Sequence, residues 1–211
     1  MQAEVFRAWV VIAARAVEEQ RDHLTQLDAA IGDADHGINL ARGFTAVLSA
    51  LEAATPATPG AVLTLTGSTL ISKVGGASGP LYGVAFRRAG KALGDAPDVG
   101  LPALADALEA ALAGVQQLGA AREGDKTMVD ALAPATGAFS KAISEGASAA
   151  GALSALAEAA QAGAAATISM QALKGRASYL GPRSVGHEDP GAASTALIMR
   201  ALSDVAAQQP R

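Results

Sequence analysis

Apolar residues recur every three or four positions along most of this 211-residue chain, and few of them are aromatic. Val5, Trp9, Ile12 and Ala16 define one stripe, and Leu101, Leu104, Leu108, Leu112 and Val115 another. That period puts side chains on one face of an α-helix rather than on a strand. Half of the residues are hydrophobic but only 3% are aromatic, so the core has to be filled with Ala, Leu, Val and Ile. Small side chains of this kind favour helices packed at short distance. The Ala-rich segment 151–173, with Leu153, Leu156, Ile168 and Met170, continues the pattern, as does 194–205 around Leu197, Ile198 and Leu202. No strand pair is predicted. The length suits one all-α domain spanning residues 1–211.

Several function classes are disfavoured by composition. The formal net charge of −4, without a long Lys/Arg block, gives no electrostatic footprint for nucleic acid or an anionic membrane surface. Cysteine is absent, which removes disulfides, thiolate metal sites and a cysteine nucleophile. Residues 1–19 carry Glu4, Arg7 and Arg15 among their apolar positions, unlike a signal peptide. The other apolar runs are broken before the ~20 residues needed to span a bilayer. A cytoplasmic location is expected.

Four stretches depart from the helical background: residues 28–44, 75–83, 124–130 and 175–194, where Gly, Asp, Ser, His and Arg concentrate. Residues 55–59 and 95–102 look like ordinary connections. In an up-and-down bundle with short loops, polar stretches separated by helix pairs return to one end, where a site can form.

The first stretch contains Asp28-Ala-Ala-Ile-Gly-Asp33-Ala-Asp35-His36-Gly37-Ile38-Asn39. Three carboxylates within eight residues repel one another unless a proton or a cation relieves them. In an extended loop, side chains two apart point the same way, so Asp33 and Asp35 can converge on one cation while Asp28 approaches from the preceding helix. Zinc would want His and Cys. A calcium loop would carry a bidentate Glu at its twelfth position, where counting from Asp28 gives Asn39. Mg²⁺ fits better, and with few protein carboxylates it completes its shell with water and phosphate oxygens, which points to a nucleotide. From His36 onward a helix can start, its free N–H groups facing those phosphates. A solvated acidic capping loop is the alternative reading.

Gly75-Gly76-Ala77-Ser78-Gly79-Pro80-Leu81-Tyr82-Gly83 is a candidate phosphate cradle, because small residues let backbone N–H groups approach an anion and Ser78 adds a hydroxyl. It lacks the Walker ending and follows a helix, so neither the P-loop nor the Rossmann pattern applies. Gly124-Asp125-Lys126-Thr127-Met128-Val129-Asp130 combines a flexible Gly with an Asp cap and a helix start. Capping alone would explain it, while Thr127 and Met128 could equally present a hydroxyl and an apolar surface to a base. Residues 175–191 are too polar and Gly-punctuated for a buried helix, and Arg176 could set a fixed positive charge against phosphate oxygens.

Taken in order, Asp28-x-x-Ile-Gly-Asp33-x-Asp35-His36-Gly37-x-Asn39, Gly-Gly-Ala-Ser-Gly-Pro-Leu-Tyr-Gly, Gly-Asp-Lys-Thr-Met-x-Asp and Gly-Arg-Ala-Ser-Tyr-Leu-Gly-x-Arg-Ser-x-Gly-His-x-Asp-Pro-Gly-Ala resemble the nucleotide-binding L subunit of dihydroxyacetone kinases, over residues 28–195. The resemblance implies a barrel of about eight antiparallel helices with the nucleotide at one end. It further implies two Mg²⁺ ions on Asp28, Asp33 and Asp35. The ADP or ATP pocket would be lined by His36, Asn39, Ala77, Ser78, Thr127, Met128, Arg176 and Asp189, with Gly119 a further member. Gly37, Ile38, Gly76, Pro190 and Gly191 fall in the same stretches. Arg176 would be the catalytic side chain. Two departures stand out. Ala34 lies where the family commonly has Gly, which would strain a left-handed position by roughly 1 kcal/mol, and Pro182 replaces a commonly acidic residue.

In that family the substrate sits on a separate K subunit or domain that supplies a histidine bound to the carbonyl. The chain is therefore expected to be incomplete as an enzyme by itself. It looks like the phosphotransferase-system version, in which bound ADP is rephosphorylated in place by a phosphohistidine-carrying protein. The alternatives are a split ATP-dependent keto-sugar kinase and a regulatory module that senses nucleotide state. A homodimer is also compatible with the sequence.

Overall fold

A computed structural model describes residues 1–207 of the chain. Among them there is no strand, and the order is α1 (Ala3–Glu19), α2 (Arg21–Ile31), α3 (His36–Ala54), α4 (Pro59–Lys73), α5 (Ser78–Leu93), α6 (Leu101–Gly119), α7 (Val129–Ser144), α8 (Ala149–Ala166) and α9 (Pro190–Ala207). Two 3-10 segments, Thr167–Ser169 and Arg176–Ser184, lie between α8 and α9. Helices α1 and α3 to α9 each pack on the next, and α9 returns to α1, which closes an antiparallel ring of eight. The expected barrel is therefore present. The ninth helix, α2, continues from α1 across Gln20 and lies against α3, α9 and the second 3-10 segment. Because the helices alternate in direction, the connections 32–35, 74–77, 120–128 and 167–189 meet at one end of the ring, and 55–58, 94–100 and 145–148 at the other.

Packing follows from residue size. On α4 and α5, Gly60, Gly67, Gly83 and Gly90 face one another, and a β-carbon at Gly67 would collide with the carbonyl oxygen of Gly83. This seam lets two backbones touch. The few large rings are gathered in the interior: Phe6 and Trp9 have centroids 6.3 Å apart, Trp9 and Phe86 5.6 Å, and Phe44 and Phe86 6.4 Å. Trp9 Nε1 donates to the Ile198 carbonyl at 2.8 Å, tying α1 to α9. Helix starts are capped as their sequences suggest: Thr58 accepts from Ala61 N ahead of Pro59, and Ser148 accepts from Gly151 N.

The predicted stripes need adjustment. On α1 the buried face runs through Phe6, Trp9, Val10, Ala13 and Val17, with Ile12 and Ala16 only at its edge. On α6, Leu104, Leu108 and Val115 are buried while Leu101 and Leu112 are half-buried. Helix α8 stops at Ala166, short of residue 173, and Ile168 and Leu173 are exposed. The reason is tertiary: the Thr167 and Met170 carbonyls turn towards the Lys126 ammonium instead of continuing the helical ladder. Helix α9 starts four residues before the predicted segment, because Asp189 accepts from Ala192 N at 2.8 Å and Pro190 occupies the first turn. No helix among the described residues is long and apolar enough to cross a membrane.

Candidate nucleotide and metal site

All four predicted polar stretches contribute to one cleft of about 180 Å³ at the loop end of the ring. Asp28, Asp33 and Asp35 present carboxylate oxygens within 4.8 Å of one another on its wall. Their convergence has a backbone cause. Asp28 closes the last turn of α2, and its Oδ2 accepts from Asp35 N at 2.8 Å and His36 N at 3.1 Å, folding the loop back over the helix end. Gly32 packs directly on the Asp28 carboxylate, with no room for a β-carbon. Ala34 sits at φ 62°, the left-handed region, as the family's usual glycine foreshadows. The Arg176 guanidinium pairs with Asp33 Oδ2 at 3.0 Å and so supplies positive charge to this cluster. An all-oxygen donor set of three carboxylates fits a hard divalent cation.

The N–H groups of Asp35 and His36 are thus committed to Asp28 and do not face the cleft as expected. His36 has both ring nitrogens engaged, Nδ1 with Ser78 Oγ at 3.1 Å and Nε2 with Ser194 Oγ at 2.8 Å. Ser194 Oγ also reaches the Pro190 carbonyl at 2.8 Å, which ties the imidazole to the first turn of α9. Burial pushes the His36 imidazole below its usual range, opposed by Asp28 and Asp35, in keeping with a neutral ring. Tyr82 Oη joins the network, 2.7 Å from Ser194 Oγ and 2.9 Å from Thr195 Oγ1, and burial raises its pKa to about 12. One chain of hydrogen bonds therefore braces the starts of α3, α5 and α9 against each other.

On the opposite wall, neither Asp of the 124–130 turn caps α7, whose N-cap is Met128 with no side-chain cap hydrogen bond; both acids brace the turn itself. Asp130, in the first turn of α7, accepts from Gly124 N at 2.6 Å and Thr127 N at 2.8 Å, while Asp125 accepts from Arg122 N. Held this way, Thr127 and Met128 line the cleft. Asp189 lines it as well, and burial raises its pKa to about 7.

Of the predicted nucleotide contacts, His36, Gly76, Ala77, Ser78, Thr127, Met128, Arg176, Asp189, Pro190 and Gly191 border the cleft. Four predicted residues stand outside that border. Gly37 packs against Arg21 and Thr25 of α2, and Ile38 faces outward at 52% exposure. Asn39 sits behind the Gly75 turn and accepts from Arg42, and Gly119 packs near Leu81 at the end of α6. A helix turns through 100° per residue, so His36 faces the cleft while the residues that follow it do not. Tyr82, Lys126, Lys174, Gly175 and Ala177 line the cleft without having been singled out. For Tyr82 and Lys126 the available signal was membership of the two Gly-led motifs.

Sequence and structure comparisons identify relatives of the whole chain. The chain is 42% identical over 195 residues, 92% of its length and 93% of the relative's, to the PEP-dependent dihydroxyacetone kinase, ADP-binding subunit DhaL, of Escherichia coli strain K12. It is 38% identical over 191 residues, 90% and 91% of the two lengths, to the PTS-dependent dihydroxyacetone kinase, ADP-binding subunit DhaL, of Lactococcus lactis subsp. lactis strain IL1403. The crystal structure of the dihydroxyacetone kinase from C. freundii in complex with AMP-PNP and Mg²⁺ superimposes with a TM-score of 0.71 at 28% identity, over 97% of this chain and 34% of that one. This chain thus spans about a third of that structure. The profile of the DAK2 domain matches residues 30–204, which include Asp33, Asp35 and all four connections at the cleft end of the ring, so the chain belongs to the DAK2 domain family.

Proposed function

We propose that this chain is the nucleotide-binding subunit of a dihydroxyacetone kinase, holding ADP as a cofactor that is rephosphorylated in place. The observation that carries this reading is the carboxylate triad on the wall of a cleft to which all four polar stretches contribute, in a chain 42% identical to an ADP-binding subunit. Residues 1–207 form one closed ring, in keeping with a single domain.

Asp28, Asp33 and Asp35 would hold two Mg²⁺ ions. When bound, Mg²⁺ supplies positive charge to the phosphate oxygens. Arg176, 66% exposed and paired only to Asp33 among the described residues, would turn from that carboxylate to the phosphoryl group as negative charge develops there. Ser78 borders the cleft beside the Gly76 and Ala77 turn, whose small residues offer close backbone approach to phosphate. Met128 offers an apolar surface to the base.

The group that activates the acceptor hydroxyl is proposed to lie on a separate dihydroxyacetone-binding K subunit. Among the described residues the large apolar side chains left exposed are Ile38, Ile71, Leu118, Ile168, Leu173, Tyr179 and Val185, and all sit at the cleft end of the ring. An apolar rim around a polar cleft suits a protein that covers it during transfer. The K subunit and a phosphohistidine-carrying phosphotransferase-system subunit would use it in turn, in the cytoplasm. A homodimer through this rim would compete with both.

The C. freundii structure holds AMP-PNP, an ATP analogue, which favours a second reading: exchange with free ATP rather than retention of ADP. Native mass spectrometry of the purified protein separates the two. ADP that survives purification, with product formed from a phosphohistidine donor only after a K-type subunit is added, supports the first; rapid exchange with ATP supports the second. Asp33→Asn is expected to abolish Mg²⁺-dependent nucleotide binding while leaving the melting temperature within a few degrees. If nucleotide with Mg²⁺ leaves the wild-type melting temperature unchanged, both readings fail.

A further inference from the structure

Lys126 is 1% exposed, borders the cleft and stands at φ 60°, a left-handed position that costs a residue with a β-carbon roughly 1 kcal/mol or more. A lysine beside a nucleotide cleft is ordinarily assigned to phosphate. The geometry here excludes that role for the structure as it stands. Lys126 Nζ donates to four backbone carbonyls, those of Thr167 at 2.8 Å, Ser184 at 2.7 Å, Met170 at 3.1 Å and His187. An ammonium has three N–H groups, so every one is committed and one is shared.

The four acceptors belong to both ends of the segment between α8 and α9. That segment also carries Lys174, Arg176 and Asp189, which border the cleft. Its other ties gather at the same point: Leu173 N donates to the Asp125 carbonyl at 3.0 Å, Gly186 N to the Ile168 carbonyl at 2.7 Å, and Asp189 N to Thr167 Oγ1 at 2.9 Å. In sequence, Lys126 immediately precedes Thr127 and Met128 on the facing wall. One buried charge therefore spans the two walls.

We infer that Lys126 is a positioning residue: its ammonium fastens the segment between α8 and α9 to the 124–130 turn, fixing the cleft before any nucleotide enters, and it makes no contact with phosphate. Burial lowers its pKa from the usual lysine range and the Asp189 carboxylate opposes that shift, which accords with a cation held by carbonyl dipoles. The consequence for binding rests on the nucleotide reading above; the tether itself does not.

The test uses the full chain and two readouts. Hydrogen exchange of wild-type protein without nucleotide is expected to show Ala172, Leu173 and Gly186 protected, and protection of these amides should change less than twofold when ADP and Mg²⁺ are added. Lys126→Met is expected to lose that protection, to be cleaved by trypsin after Arg176 or Arg183, and to bind ADP with Mg²⁺ at least tenfold more weakly. Because a buried methionine could unfold the chain, Lys126→Cys provides the rescue. The natural sequence has no cysteine, so aminoethylation in denaturant followed by refolding restores an ammonium at this position alone. Recovered loop protection in the aminoethylated protein, absent from the unmodified variant, supports the tether. Wild-type loop amides that are unprotected until nucleotide is added, or a Lys126→Met protein with wild-type protection, overturns it. Wild-type protein that shows the protection yet binds no ADP refutes the nucleotide reading and leaves the tether standing.

Discussion

Replacing Ala34 by Gly is expected to stabilise this protein, against the usual direction of an Ala→Gly change. Ala34 lies between two carboxylates of the cluster with φ 62°. A β-carbon in the left-handed region costs roughly 1–2 kcal/mol. Glycine removes that cost but adds about 0.4–1 kcal/mol of unfolded-chain entropy. The difference of the mid-range values is a net gain of about 0.8 kcal/mol, or roughly 2–3 °C in Tm for a chain of this length. Urea and thermal unfolding of the metal-free protein measure it, with an unchanged m-value as the check that only the native state moved. Mg²⁺ binding should stay within about twofold, because a ligand responds only to differences between the states it selects, and the loop is held in one shape by the Asp28 contacts in both. A lower Tm for Ala34→Gly would refute the assignment of strain to this position.

Two other outcomes follow from the packing and the buried acid. Gly67→Ala should cost about 1–3 kcal/mol by forcing α4 and α5 apart, whereas Gly137→Ala, on a helix face where a β-carbon meets nothing within 4 Å, should be neutral or stabilising by up to about 1 kcal/mol; thermal melts of the pair decide. For Asp189, burial raises the folded pKa to about 7, above the unfolded value near 4, so the folded state binds the extra proton. Its contribution is complete below about pH 4 and is lost as pH rises through about 7. Asp189→Asn keeps the cap acceptor without titrating, so the stability of wild type relative to this variant should fall across that window, and a flat difference contradicts the burial.

The helical architecture could be read from periodicity because the apolar faces are long and their amphipathic pattern repeats. The gathering of the four loops followed from alternating direction alone. What was not legible is depth. Gly37, Ile38 and Asn39 share a motif with His36, yet the turn of α3 carries them to other surroundings: Gly37 is chosen for contact with α2, and Asn39 for support of the next turn. Nor does sequence reveal that Lys126 would be turned inward, since a lysine between Asp and Thr in a turn is ordinarily solvated. The early end of α8 has the same origin, a tertiary partner taking carbonyls that local propensity would have kept in the helix.

The closing of the ring has a kinetic side. Most of its packing joins helices adjacent in sequence, which can form with small loop-closure entropy, but the seam between α1 and α9 joins residues far apart in the chain. That seam carries the largest loop-closure entropy of the ring. The chain's single tryptophan, Trp9, donates across it to Ile198. Because Trp9 also packs against Phe86 of α5, its fluorescence reports the docking of α1 into the ring, while far-ultraviolet circular dichroism follows the growth of helices.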